Sequence, residues 1–175
     1  TLVVGSGAPG GGSEASQLWD GVEWAIAQGQ HSGSEYYNRI NPDRIALMGH
    51  SCGGIQALDV SNDPRTTTTM VWNSGVISRP PNAPAAGGNG NTPPARPSAM
   101  SSMTKERLTE LHAPVAYVIG GPSDIAYQNG LDDFERIDHV PVLFASQDVG
   151  HYPATFLEPH GGAWGVAAVA WLNWQ

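Results

Sequence analysis

The feature that most limits what this chain can become is the stretch RIALMGHSCGGIQAL at residues 44–58. An apolar run stops at Gly49, a serine follows two residues on, and two glycines crowd in behind it. Glycine has no β-carbon, so it accepts strained backbone angles and the close approach of another segment. Gly49-His50-Ser51-Cys52-Gly53 reads G-x-S-x-G, a sharp turn that lifts a nucleophilic serine clear of the top of a strand. Such a turn needs a strand before it and a helix after it. A strand is predicted over 45–48, set off by the turn chemistry of NPDR, and a helix over 54–60.

The rest of the chain alternates in the same way. Residues 1–4 are a short apolar, β-branched run, broken by GSGAPGGG at 5–12. Ser13 reads as a helix N-cap ahead of Leu18, Val22 and Ile26 at helical spacing. Strands are predicted over 66–72, 115–119 and 140–145, and helices over 105–111, 131–137 and 164–174. Residues 78–102 carry Pro, Gly and Asn without periodicity and read as a long loop, either functional or a tolerated insertion. Five strands alternating with helices predict a parallel sheet of βα units in one α/β domain over 1–175.

In such a sheet, chemistry gathers beyond the carboxyl ends of the strands. Ser51, Asp124 and His151 each follow a strand there, in that order. A serine hydroxyl needs a base to take its proton, and His151 supplies one. Asp124 would hold the imidazole in the right tautomer and stabilise its charged form. Competitors are present. His160 rivals His151, and Asp148 rivals Asp124, although it lies only three residues before the histidine. Asp132 and Asp133 fall on a predicted helix, where a charged pair is expected on the solvated face. His50 points the wrong way for a base and is placed, with Trp72 and Tyr152, on the substrate side. Tyr127 and the tryptophans at 164, 171 and 174 read as packing residues.

Composition narrows the function further. Sixteen acidic groups against eight basic ones argue against a nucleic-acid partner. No apolar run approaches the ~18 residues that span a membrane. A single cysteine forms no intrachain disulfide, no His/Cys cluster has zinc-ligand spacing, and the glycines at 5–12 lack the Lys-Ser/Thr of a phosphate loop. The one lysine and the abundance of Gly, Pro, Ser, Thr, Asn and Trp point to a secreted protein.

The segments DRIALMGHSCGG, TTMVWNSGV, PVAYVIGGPSDIAYQNG and VPVLFASQDVGHYPATF resemble successive strand ends of α/β-hydrolase serine esterases. They are most similar to secreted hydrolases of the dienelactone-hydrolase-like type. The G-x-S-x-G-G elbow and the tryptophan after the following strand also look like cutinase-like polyester hydrolases. The resemblance implies Ser51, Asp124 and His151 as a triad, Cys52 N–H as an oxyanion donor, and no cofactor. The substrate would be a small-molecule or polymeric ester. An acyltransferase or amidase on the same triad, or a non-catalytic fragment, stays open. The family has about eight strands, and this chain matches from near the fourth, so the sheet is expected to be reduced. Residues 1–4 would then pair beside the Ser51 strand, or another segment or chain would fill that place. Gly7 and Ala8 are the candidates for a second oxyanion donor, unless their loop is a plain connector. One final helix covering a whole sheet face leaves apolar surface, so a two-fold dimer is expected.

Overall fold

A computed structural model describes residues 13–78 and 102–175. Among these, strands β1 (Ile45–His50), β2 (Thr66–Trp72), β3 (Val115–Ile119) and β4 (Val142–Ser146) form one sheet in the order β1-β2-β3-β4. Every neighbouring pair is parallel. Helices α1 (Ser16–Gln30), α2 (Cys52–Val60), α3 (Tyr127–Arg136) and α4 (Gly162–Trp174) flank it. The expected strand at 1–4, the glycine loop at 5–12 and most of the expected long loop lie outside the described residues. No helix among the described residues is long and apolar enough to cross a membrane.

Parallel strands bury both faces, and successive side chains point to opposite faces. On one face Val71, Val115, Tyr117 and Ile119 pack with Leu58 of α2, Leu108 and Ile137. Ile45 and Leu47 extend that layer against Ala57 and the apolar stripe Leu18, Val22 and Ile26 of α1. On the other face Met70, Ala116 and Val118 pack against Trp164 and Trp171 of α4. The Trp171 indole N–H donates to Thr68 Oγ1 at 2.7 Å, so its burial leaves no orphan donor. Trp174, read with these two as core, is instead 62% exposed, and Leu143, Val166 and Val169 are also exposed.

Four further readings are corrected. Ser13 does not cap α1, which begins at Ser16; its hydroxyl donates to Gln56 of α2 at 2.9 Å. The short helix expected over 105–111 is a 3₁₀ turn, Glu106–Glu110. Asp133 is not on a solvated face but fully buried. α3 starts at Tyr127, earlier than expected, because Asn129 and Gly130 weaken the helical signal in the sequence.

Asp133 sits at a junction. Its carboxylate accepts from Val76 N at 2.7 Å, from Tyr117 Oη at 3.3 Å and from Lys105 Nζ at 2.6 Å. Lys105 also donates to Asn129 O and pairs with Asp132, both at 2.9 Å. One buried ion pair thus joins α3 to the segments that follow β2 and precede β3. Burial pushes the Asp133 carboxyl up to about 6, against the pull of Lys105.

Lys105→Met leaves this carboxylate buried without its cation, and breaking such a pair costs about 3–5 kcal/mol. Because the folded-state pKa lies above the ordinary 3.8, the native state holds the proton through the intervening window. Stability therefore falls as pH rises through it. Losing Lys105 extends that fall to higher pH. Urea denaturation should show a gap between wild type and Lys105→Met that widens as pH rises past about 6.

Candidate active site

Ser51 joins β1 to α2 at φ 55°, ψ −123°. A residue with a side chain adopts such angles only where its surroundings impose them. Ser51 N–H donates to Trp72 O at 3.0 Å, carrying the β1–β2 ladder one residue past the strand. The Ser51 carbonyl already accepts from Gly54 N at 2.9 Å and from Ser74 Oγ at 2.6 Å. The chain changes from strand to helix within one residue. A Cβ on Gly49 would stand 2.0 Å from the Gly53 carbonyl oxygen, so no other residue fits there. Gly53, the second glycine of the motif, faces open space instead.

The structure brings Ser51, His151 and Asp124 into one line. His151 Nε2 lies 2.9 Å from Ser51 Oγ, and His151 Nδ1 lies 2.6 Å from Asp124 Oδ1. Asp124 follows β3 and His151 follows β4, so both reach the same end of the sheet as Ser51. Burial opposes ionisation of Asp124. The hydrogen bonds from Ala126 N, His151, Gly120 N and Asn73 outweigh it and hold the carboxyl below its usual range. An ionised carboxylate only accepts, so Nδ1 carries the imidazole hydrogen. Nε2 then presents its lone pair to the serine hydroxyl. This arrangement can move a proton off Ser51 and hold the resulting imidazolium.

Packing makes the convergence feasible. A Cβ on Gly120 would stand 1.9 Å from the Gly150 carbonyl oxygen and 2.6 Å from Asn73 Nδ2. With glycine there, the loops after β2, β3 and β4 meet. Gly120 O accepts from Val149 N and Gly150 N at 2.9 and 2.8 Å.

The competing residues are elsewhere. Asp148 accepts from Ser123 N at 3.2 Å and Ser123 Oγ at 2.6 Å, tying the Asp124 loop to the His151 loop. His160 is exposed in a 3₁₀ turn, Pro159–Gly161. His50 Nε2 lies 2.9 Å from the His151 carbonyl oxygen, so it must donate. Its ring contacts those of His151, Tyr152 and Phe156. Tyr152 is 78% exposed and stands edge-on to His151 at 4.7 Å. Trp72 is half-buried and its ring lies 5.5 Å from that of Trp164, packed against the α4-side core. Cys52 has an exposed thiol, and its N–H opens α2, where no intrahelical partner exists. Gly7 and Ala8 lie outside the described residues. Sequence reasoning missed Asn73, which is fully buried and hydrogen-bonded to Asp124. Its only signal was an asparagine at a strand end, a residue that tolerates left-handed backbone.

No protein-family model and no curated protein sequence matches the chain. Solved structures do. Est816, an N-acyl homoserine lactone degrading enzyme, aligns over 93% of this chain and 76% of its own at 18% identity, with a TM-score of 0.57. MGS-M1, an α/β hydrolase enzyme from a Medee basin deep-sea metagenome library, aligns over 91% and 63% at 15% identity, with a TM-score of 0.55. The fold is that of the α/β hydrolases. A dienelactone hydrolase from Anabaena variabilis aligns over 91% of this chain and 56% of its own, at 17% identity and a TM-score of 0.48. The chain thus spans 56–76% of the length of these structures.

Within this fold, the two glycines of G-x-S-x-G should differ sharply on substitution. Gly49→Ala should prevent the turn from closing and give little folded protein. Gly53→Ala should leave the melting temperature unchanged or raised, since alanine favours a helix by about 1 kcal/mol over glycine. Thermal denaturation of the two variants checks this.

Proposed function

We propose that the protein is a serine hydrolase that cleaves carboxylic esters through an acyl-enzyme. The observation that carries the reading is the unbroken chain of hydrogen bonds from Ser51 through His151 to Asp124, with Ser51 on a strained turn at the head of α2. In this mechanism Ser51 Oγ attacks the ester carbonyl while His151 Nε2 takes its proton. The oxyanion forms near Cys52 N–H, with a second donor assigned to Gly7 or Ala8 on sequence grounds. Collapse releases the alcohol, which takes the proton from His151. Water then attacks the acyl-enzyme by the same relay and frees the acid.

The exposure of Tyr152 beside His151 supports an open rim. Bulky esters, polyesters included, fall within the proposed substrate class, with Tyr152, His50 and Trp72 on the substrate side. Secretion remains part of the proposal on composition alone. Exposed Leu143, Val166, Val169 and Trp174 support self-association as a dimer, for which light scattering across a concentration series is the measurement.

Turnover of p-nitrophenyl esters, a lactone and a polyester film should be compared for wild type and Ser51→Ala. Hydrolysis should fall to background in the variant, and a fluorophosphonate should label wild type alone. Retained turnover or labelling in Ser51→Ala rejects the reading, as does a wild-type chain that neither hydrolyses nor labels. Acyl transfer to an added alcohol, or amide cleavage, separates the sister reactions on the same residues.

Asp124→Asn should lower kcat by roughly 10⁴-fold, because an amide can donate to Nδ1 and turn the Nε2 hydrogen toward the serine. Asp148→Asn, which keeps an Oδ1 to accept from Ser123 and does not reach His151, should cost far less. An equal or larger loss from Asp148→Asn would reverse the assignment.

A further inference from the structure

Asn73 is the one fully buried side-chain amide at the end of the sheet where Ser51, Asp124 and His151 meet, among the described residues. It follows β2 in left-handed backbone, φ 44°, and its N–H donates to Val118 O at 2.9 Å. The side chain therefore has little freedom. Its Nδ2 lies 2.8 Å from Asp124 Oδ2 and 2.9 Å from Gly150 O, so the two hydrogens of one amino group serve two acceptors. One acceptor belongs to the carboxylate that holds the imidazole. The other is the peptide immediately before His151.

We infer that Asn73 is a positioning residue that sets Asp124 and the His151 backbone at a fixed separation, so that the imidazole stays aligned on Ser51. This rests on the reading of Ser51, His151 and Asp124 as catalytic. Asp124 Oδ1 takes His151 Nδ1 and Ala126 N, while Oδ2 takes Gly120 N and Asn73. Of these donor groups, the Asn73 amide nitrogen alone donates both to Asp124 and to a carbonyl of the His151 loop. A neutral amide does this at every pH, and it cannot take the proton that Asp124 must do without. The titratable groups around it are Asp124 and His151. His50 lies beyond the His151 ring, and Asp148 is tied to Ser123.

Asn73→Asp tests this with almost no change in shape, since Asp also tolerates left-handed backbone. It places a second carboxyl within hydrogen-bond distance of Asp124 and opposite the Gly150 carbonyl. Two such carboxyls share one proton at moderate pH and repel once it leaves. The expected result is a kcat lowered roughly 10- to 100-fold, the worth of a hydrogen bond to a charged group, with KM little changed. The variant's kcat should also decline toward alkaline pH where the wild type's does not. Asn73→Gly, which suits φ 44° and deletes the amide, should show the kcat loss without the new alkaline decline. Circular dichroism melting establishes which variants are folded. A folded Asn73→Asp with wild-type kcat and pH profile overturns the inference. So does failure of both variants to fold, which would make Asn73 a purely structural residue. Fluorophosphonate labelling of wild-type Ser51 separates these outcomes from failure of the underlying reading: labelling with indifferent Asn73 variants rejects only the positioning role.

Discussion

The contact between Gly49 and the Gly53 carbonyl governs the rest of the site. A strand and a helix can share one residue as their junction only if they approach closer than any β-carbon permits. Once they do, Ser51 is held from both sides. Its N–H completes the β1–β2 ladder, and its carbonyl starts α2. The left-handed backbone that results is the residue's cheapest answer to two fixed neighbours, and its cost is spread over the sheet and helix that impose it. The side chain is then aimed beyond the strand end without needing a contact of its own to hold it there.

A second close approach completes the geometry. Three loops from three different strands must meet within hydrogen-bond distance of one another beside Ser51, and each brings backbone polar groups that need partners. Gly120 has room for the Gly150 carbonyl and the Asn73 amide because it has no side chain. Its own carbonyl then takes two N–H groups from the His151 loop. Asp148 repeats the tie from the other direction by accepting from Ser123. The histidine is positioned by these loop-to-loop bonds, together with the donor from His50 to its carbonyl.

The sheet was legible because parallel strands announce themselves as apolar, β-branched runs between turn residues. Four of the expected strands occur within a few residues of their predicted limits. The Ser-Asp-His order was legible for a related reason: residues that follow successive parallel strands arrive at one edge. Asn73 was not legible, because an amide acts through what lies across from it, and its partners are 51 and 77 residues away. Asp133 was misread for the opposite reason. A helical aspartate is normally solvated, and here Lys105, Val76 N–H and the Tyr117 hydroxyl arrive from distant segments to partner it in the core. Ser13 looked like a cap because capping is a local pattern, whereas its actual partner is on α2.

The two buried aspartates show how one chain gives the same side chain two states. Asp133 has a full positive charge at 2.6 Å, yet its carboxyl is raised to about 6 because burial dominates. Asp124 has no permanent cation beside it, yet its carboxyl is lowered. The difference is in the balance of desolvation against donors. Asp124 lies at the rim of the sheet, where two backbone N–H groups, an amide and an imidazole occupy its oxygens. Fixed neutral dipoles stabilise the anion there without needing to be desolvated as charges themselves. A cation in their place would also favour the anion, but it would oppose the imidazolium that the proposed reaction requires one bond away. Neutral donors leave Asp124 negative and leave His151 free to gain charge. That is the electrostatic condition the proposed reaction sets for a histidine that takes a proton from Ser51 and then returns it.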